Sequence, residues 1–289
     1  MISKKRIGIN RNVAPGMSLE KFAQLAKDNN IKIVELRNDL SGVPTVESIT
    51  DGRSIEEVKS VLKGLKIETI NALGNADSAE LLQNNVDILT QMCEVAKQLS
   101  VTRIIFCPTR DASDTRSDGQ RQEDLVTALR SFSAILKSFG LQGLLEPLGF
   151  ADSVLQTPWE AQAALKISGV DNFKIVADTF HYFLAGVTAR DIQKRVDVKQ
   201  IGLVHMSTVA PGKSVSSLAD EDRMMLDNAD ESRCLEYVRL LQASGYSGNY
   251  SFEPFSSKLR QWDLNRASES IAVSVQMVEE TAKKSSLEL

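Results

Sequence analysis

The chain has 289 residues, a length that fits one α/β barrel and exceeds what most other single-core domains need. Hydrophobic residues make up 42% of the chain and charged residues 25%, which supplies enough apolar side chains for one large globular core. The net charge is −4 and no cluster of lysine and arginine stands out, which disfavours a duplex nucleic-acid partner.

Three cysteines, Cys93, Cys107 and Cys234, lie far apart without a CxxC pair, which argues against a disulfide framework or a zinc knuckle. Cys93 lies in an apolar helical pattern and Cys107 ends an apolar strand, so both are predicted to be buried thiols. The sequence shows no secretory signal and no apolar stretch near the ~20 residues of a membrane span. We expect a reduced, cytoplasmic protein without a membrane partner, and we interpret residues 287–289 as a cloning remnant.

Short apolar runs alternate with longer amphipathic runs from one end of the chain to the other. Two helix starts carry capping boxes, Ser54 with Glu57 and Thr157 with Glu160. Residues 78–99 place apolar side chains at three- and four-residue steps, which predicts a helix with one apolar face. The predicted strands are residues 6–10, 32–37, 66–71, 102–107, 141–146, 173–178, 200–205 and 249–253.

This alternation predicts βαβ units with right-handed crossovers and a parallel sheet. Eight such units close more naturally into a (β/α)₈ TIM barrel than into an open sheet. A doubly wound sheet is the alternative, but no glycine fingerprint for a dinucleotide follows the first strand. No linker or low-complexity segment divides the chain, so residues 1–286 are predicted to form one domain.

The carboxyl ends of the strands are where a barrel of this type places its active site. The last residues of the eight predicted strands are Asn10, Arg37 (with Glu35 behind it), Asn71, Cys107, Glu146, Asp178, His205 and Glu253. The last four of these, on consecutive strands, can all ligate a metal ion. This concentration is the strongest functional signal in the sequence.

Both glutamates of this group are followed by a proline, Pro147 after Glu146 and Pro254 after Glu253. A proline holds the preceding residue in the extended region and ends the strand ladder, so each carboxylate should point in a fixed direction. Either glutamate alone is equally compatible with a salt bridge at the barrel rim. The pair, together with Asp178 and His205 at equivalent depth, favours a shared site.

The two histidines of the chain, His181 and His205, both fall in this region. Each alone would be interpreted as a core or surface histidine, but their joint placement favours function. Three carboxylates and one imidazole form a hard ligand shell that suits one divalent ion, Mn²⁺, Mg²⁺ or Co²⁺, and is compatible with Zn²⁺. A structural zinc site is disfavoured because no thiolate joins the set.

At these residues the sequence resembles the sugar isomerase and epimerase family with the xylose-isomerase-like barrel, and most of all its inosose (keto-inositol) isomerases. The resemblance covers nearly the whole chain and includes residues 34–37, 70–73, 176–181 and 251–253. The Asp-Glu-Asp-Arg motif at residues 220–223 is the narrowest part of it. The sequence departs from the family at residues 224–228, where a Pro-Gly-x-Gly segment usually follows the arginine.

The resemblance implies that Glu146, Asp178, His205 and Glu253 bind one metal ion, and that Glu146 and Glu253 also act as acid and base. The reaction would be isomerisation of a small keto-polyol through an enediolate, since a carboxylate can remove the proton beside a polarised carbonyl group. By the same resemblance, His181 and Arg223 would bind substrate oxygens. Arg37 and Asn71 are further candidates for substrate binding that equally suit rim or packing positions.

Several other functions share this barrel. A dehydratase acting on a similar keto-polyol would use the same metal and base, and an open-chain ketose epimerase is a further alternative. A DNA-repair endonuclease is excluded, because its three-metal site needs more histidines than this chain has. A non-catalytic sugar-binding protein would be expected to lack one of the two glutamates. The sequence is compatible with a homo-oligomer and with any of the four metals named above.

Overall fold

The structure, a computed structural model, describes residues 2–227 and 230–284. Within these residues, eight parallel strands close into a barrel in the order β1-β10-β7-β6-β5-β4-β3-β2. This confirms the (β/α)₈ prediction, while residues 287–289 lie outside the described residues. The barrel strands are β1 Ile7–Asn10, β2 Ile33–Arg37, β3 Lys66–Leu73, β4 Arg103–Phe106, β5 Gln142–Leu145, β6 Phe173–Asp178, β7 Ile201–Met206 and β10 Asn249–Phe252.

Helices follow the strands and surround the barrel. Both predicted capping boxes are present, at Ser54 and at Thr157, where each side chain accepts a hydrogen bond from the first turn. The helix predicted at residues 78–99 begins later, at Leu82, because residues 79–81 form a turn. The helices are α1 Leu19–Asp28, α2 Ile55–Val61, α3 Leu82–Gln98, α4 Asp118–Phe139, α5 Pro158–Ser168, α6 Thr179–Leu184, α7 Ala189–Arg195, α8 Cys234–Ala243 and α9 Leu264–Lys284.

The interior of the barrel is built in layers along the strands. Ile105, Leu144, Val176 and Leu203 form a buried apolar cluster, one side chain from each of β4 to β7. Side chains two positions apart on a strand point to the same face. The residue two positions after each of these four therefore also points into the barrel, one layer nearer its carboxyl end. The polar side chains of the predicted site rest on this apolar floor.

Several predicted strand ends shift by one or two residues. Strand β3 continues past Asn71 to Leu73, and Cys107 lies one residue beyond β4. Cys107 is half-buried rather than buried as predicted, because it lines a cavity at the carboxyl end of the barrel. Glu146 and Glu253 follow their strands directly, and their backbone N–H groups still donate to the neighbouring strands over 2.9 Å each. Both glutamates are therefore held as firmly as strand residues.

A small two-stranded sheet that the sequence did not predict lies apart from the barrel strands. Strand β8, Thr208–Val209, pairs antiparallel with β9, Arg223–Met224. After β9, Met225 and Leu226 are 1% and 0% exposed. The segment that departs from the family pattern is thus anchored in the core, although Asn228 lies outside the described residues. Among the described helices, none is long and apolar enough to cross a membrane.

Candidate metal centre and active site

Strands β6 and β7 set the two central residues of the site side by side. Asp178 is the register partner of His205 across this strand pair. Asp178 also caps α6, because its Oδ1 accepts hydrogen bonds from the backbone N–H groups of Phe180 at 2.7 Å and His181 at 3.2 Å. The cap fixes the carboxylate and leaves Oδ2 facing the barrel interior.

The four predicted metal ligands converge around the ring of His205. Its Nδ1 lies 3.1 Å from Glu146 Oε1, 3.0 Å from Glu253 Oε2 and 4.0 Å from Asp178 Oδ2. One ligand atom from each of the four residues lies within 4.8 Å of the others. All four side chains are almost completely buried. The structure therefore brings the predicted set together at one point.

Two buried arginines contact the carboxylates of this cluster. One Nη of Arg223 lies 2.6 Å from Asp178 Oδ2 and 3.0 Å from Glu253 Oε2. Arg37 Nη1 lies 2.7 Å from Glu253 Oε1, while the rest of its guanidinium binds both oxygens of Asp39. Glu253 is thus held from both sides by guanidinium groups, whereas neither arginine forms an ion pair with Glu146 in the described residues.

The pKa values of Glu146 and Glu253 shift in opposite directions, in line with this difference in neighbouring cations. Burial raises the pKa of Glu146 to about 7, and the charge of Glu253 adds to the shift. Burial also acts on Glu253, but the charges of His205, Arg223 and Arg37 outweigh it and hold the pKa of that carboxyl well below its usual value. The pKa of Asp178 is raised, chiefly by burial.

The two histidines shift in opposite directions. Burial and the charge of Arg223 hold the pKa of His181 well below its usual value, so its ring is neutral. Burial opposes the charge on His205 as well, but the surrounding carboxylates of Glu253, Glu35 and Glu146 raise its pKa well above the usual value. The same carboxylates favour positive charge at this point of the structure, whether a proton on the ring or a bound cation.

The donor set fits one divalent cation. Three carboxylates and one imidazole are ligands that Mn²⁺, Mg²⁺, Co²⁺ and Zn²⁺ accept in proteins, and no thiolate belongs to the cluster of described residues. Burying several carboxylates next to one another is unfavourable unless positive charge compensates them. A metal ion among the four ligand atoms would supply that compensation.

A cavity of about 210 Å³ opens onto the cluster from the carboxyl end of the barrel. A larger depression of about 470 Å³ lies between α4 and α5, but the predicted ligands do not face it. Leu148, Ala72, Pro44 and Phe255 give the cavity an apolar part of its wall. Its polar wall contains both acid–base candidates and all four predicted substrate-binding residues: Glu146, Glu253, Arg37, Asn71, His181 and Arg223.

The four predicted substrate-binding residues differ in what their polar groups already contact. His181 Nδ1 has no hydrogen-bond partner among the described residues although the side chain is buried. By contrast, the Asn71 amide donates to Glu35 Oε2 and to Thr69 Oγ1, at 3.0 Å each. The guanidinium of Arg37 is bound to Glu253 and Asp39. Arg223 is likewise bound to Asp178 and Glu253, so among the four only His181 lines the cavity without a side-chain hydrogen bond in the described residues.

Three further residues belong to the site: Glu35 and Asp220, which the sequence patterns contain without an assigned role, and Asp39, which they do not predict. Glu35 lies two residues before Arg37 and points into the barrel on the same face, a signal that the two-residue period of a strand contains. Asp39 and Asp220 approach the cavity from loops. The motif at residues 220–223 marks the loop of Asp220, but no local pattern of a loop fixes where its side chains point, so neither aspartate could be placed at the cavity from the sequence.

Charged and aromatic side chains tie together three loops at the cavity mouth. Arg110, after β4, lies 3.1 Å from both Asp152 and Asp220, which follow β5 and the β8 strand. Its guanidinium also stacks on the ring of Phe150, 3.4 Å from the centroid. Gly149 allows the β5 loop to approach α6, since a Cβ atom there would lie 2.1 Å from the carbonyl oxygen of His181.

Comparison with known proteins agrees with this geometry. Residues 10–277 match the family described as xylose isomerase-like TIM barrel. The chain belongs to this family. It is 26% identical over 259 residues to inosose isomerase of Halalkalibacterium halodurans, a match that covers 86% of this chain and 87% of the relative.

Two solved structures of similar proteins share the fold. A xylose isomerase domain containing protein from Salmonella typhimurium LT2 is 34% identical, with a TM-score of 0.86 and coverage of 96% of this chain and 99% of that chain. The IolI protein, whose structure has a bound zinc atom, is 19% identical with a TM-score of 0.82, covering 96% of this chain and 98% of that chain. The second likeness, at this identity, concerns the fold alone.

Proposed function

We propose that the protein is a divalent-metal-dependent isomerase or epimerase of a small, inosose-like keto-polyol. The observation that carries the proposal is the convergence of Glu146, Asp178, His205 and Glu253 below a small cavity, with the two glutamates in its wall. Family membership and the similarity to an inosose isomerase support it.

Proton transfer by the two glutamates accounts for the reaction. A divalent ion held by the four ligands would supply positive charge that polarises the carbonyl group of a bound ketone. Glu146 and Glu253 both face the cavity and can exchange a proton with the carbon beside that carbonyl. Asp178 and His205 take no part in the proton transfer and serve as ligands. His181 and Arg223 would bind hydroxyl and carbonyl oxygens of the substrate.

The cavity supports a small, uncharged and polar substrate. Its volume of about 210 Å³ lies below the range of roughly 300–1,000 Å³ that is usual for drug-sized ligands. The two guanidiniums in its wall, of Arg37 and Arg223, are already bound to carboxylates. A phosphate or carboxylate group on the substrate would have to compete for them, whereas neutral hydroxyl groups need only hydrogen bonds. A ring of the inosose type meets these conditions.

The test is a comparison of substrates with and without added metal. Purified protein should convert 2-keto-myo-inositol much faster than open-chain ketohexoses, and a chelator should abolish the conversion. Nuclear magnetic resonance of the products identifies an isomer or epimer, whereas a product that has lost water identifies a dehydratase. Faster turnover of open-chain sugars would overturn the inosose assignment and indicate a ketose epimerase. Full activity in the presence of chelator would overturn the metal dependence.

Exchange with deuterated water tests the enediolate route. Removal and return of a proton by a glutamate should introduce deuterium at the product carbon, unless the base shields its proton from solvent. Labelled product together with metal dependence would establish metal-dependent proton transfer as the class of reaction.

We also infer a reducing, cytoplasmic location, because the described structure leaves Cys93, Cys107 and Cys234 unpaired.

A further inference from the structure

The ring of His205 has a second carboxylate on the side away from the predicted metal position. Its Nδ1 faces Glu146 and Glu253, whereas its Nε2 lies 3.2 Å from Glu35 Oε2. Both Glu35 and His205 are 0% exposed. The imidazole ring separates Glu35 from the four ligand atoms, so Glu35 is outside the candidate ligand set.

Glu35 is held in turn by two polar residues of β3. Thr69 Oγ1 donates to Glu35 Oε2 over 2.5 Å, and Asn71 Nδ2 donates to the same oxygen over 3.0 Å. The Asn71 amide also donates to Thr69 Oγ1 at 3.0 Å. The three residues thus form a buried chain that ends at the His205 ring.

The chemistry of these groups fixes the direction of each hydrogen bond. The amide nitrogen of Asn71 can only donate, and the hydroxyl of Thr69 accepts from it and donates to Glu35. An ionised carboxylate can only accept, so the remaining bond at Glu35 requires a proton on Nε2 of His205. A neutral ring that carries its proton on Nε2 presents the lone pair of Nδ1, which is the atom that faces the ligand carboxylates.

We propose that Glu35 is a positioning residue for metal binding, which acts by holding the His205 ring with Nδ1 toward the ion. The inference rests on the proposed metal site and adds Glu35, with Thr69 and Asn71 behind it, to that site. It also gives Asn71 a role that differs from its predicted one, since its amide contacts Glu35. Carboxylates that orient ligand histidines typically change metal affinity by about 10–100-fold when they are replaced.

The test measures metal affinity directly. Metal-free wild type, Glu35→Gln, Glu35→Leu and Thr69→Val are titrated with Zn²⁺ or Co²⁺ against a chromophoric chelator. The Kd should rise about 10–100-fold in Glu35→Leu, by less in Glu35→Gln because its amide oxygen can still accept, and least in Thr69→Val. Glu68→Gln is the matched control, a buried glutamate that contacts Arg103 rather than the site, and it should leave the Kd unchanged.

A spectroscopic measurement separates positioning from a general loss of structure. Long-range ¹H–¹⁵N correlation of Zn²⁺-loaded wild type should show a proton on Nε2 of His205 and the metal on Nδ1, and only two histidines need assignment. Unchanged Kd in both Glu35 variants, or a metal on Nε2, would overturn the role of Glu35 while the metal site stands. A wild type that binds no metal would overturn the proposed function and this inference together.

Discussion

The two ends of the barrel interior both bury charged side chains, but they balance the charge differently. At the amino end, Glu68 is 1% exposed and its carboxylate lies 2.6 Å from both Arg103 Nη1 and Lys66 Nζ. Arg103 also donates across the barrel to the carbonyl oxygen of Gly202. One buried carboxylate therefore meets two cations.

At the carboxyl end, the buried carboxylates outnumber the buried guanidinium groups. Four buried carboxylates surround the His205 ring, from Glu35, Glu146, Asp178 and Glu253, and two buried guanidiniums approach them, from Arg37 and Arg223. Part of the Arg37 guanidinium is taken up by Asp39. The amino end is therefore balanced as a structural ion pair, whereas the carboxyl end carries the surplus of negative charge that a divalent cation would neutralise.

Removing one ligand from the carboxyl end should produce the largest effect. Asp178→Ala and His205→Ala each delete one of four ligand groups, so bound divalent metal should fall well below one ion per chain and turnover should disappear. Metal content is measured by plasma mass spectrometry after dialysis, alongside activity. Glu68→Gln, at the balanced end, should retain both. One ion per chain in both alanine variants would contradict the assigned ligand set.

Replacing either acid–base candidate should reduce turnover strongly, while the site can still bind a metal ion. In Glu146→Gln or Glu253→Gln the amide can still coordinate weakly through its oxygen, but it cannot carry the proton. We expect kcat to fall by about 10²–10⁴-fold or more, a loss typical of a missing general acid or base. Metal occupancy must be measured on the same samples because both residues are ligands. Turnover near that of wild type would exclude the replaced residue as acid or base.

The four candidate ligand residues could be predicted from the sequence for a geometric reason. The end of a parallel strand has a defined place in a barrel, so the residues at or next to the carboxyl ends of β5, β6, β7 and β10 could be predicted to meet. The role of Arg37 could not be predicted, because a long side chain at a strand end can reach several carboxylates and its contact with Asp39 depends on a loop. The hydrogen bond between Glu35 and His205, which spans the barrel, could not be predicted from the sequence either.

In the metal-free protein, substitutions at the two ends of the barrel should change the free energy of unfolding in opposite directions. Burial raises the pKa of Glu146 to about 7 from an unfolded value near 4.5, so its ionised form destabilises the folded state. When the pH is below the pKa of the unfolded state, the carboxyl is protonated in both states and does not affect stability. When the pH is above the pKa of the folded state, the ionised carboxylate destabilises the fold to its full extent. Glu146→Gln should therefore raise the free energy of unfolding on the order of 1–3 kcal/mol above pH 7, and this gain should vanish as the pH falls below about 4.5.

Glu68→Gln should have the opposite effect. It leaves the guanidinium of Arg103 and the ammonium of Lys66 without their carboxylate, so the free energy of unfolding should fall by about 1–2 kcal/mol at neutral pH. Both variants are measured by urea denaturation with chelator present, across the pH range. Equal destabilisation by the two substitutions at pH 8 would show that the carboxyl end is already balanced without a cation.

The smallest expected effect concerns the rim of the carboxyl end. Arg110 links Asp152 to Asp220 and stacks on Phe150, and Asp220 lines the cavity, so Arg110→Gln should loosen the cavity mouth. Its ion pairs are partly exposed, and such pairs contribute about 0–1 kcal/mol, which corresponds to at most about a fivefold rise in KM with little change in kcat.

The chain contains a matched control for this substitution. Arg195 stacks on Trp159, 3.6 Å from the ring centroid, and forms an ion pair with Asp191, away from the residues that line the cavity. Arg195→Gln removes the same kinds of contact and should leave both kinetic constants unchanged. A large loss of kcat in Arg110→Gln would mean that the loops at the mouth position the reacting groups themselves. A KM effect shared by both variants would instead trace to general stability, and the rim would then contribute nothing specific to the site.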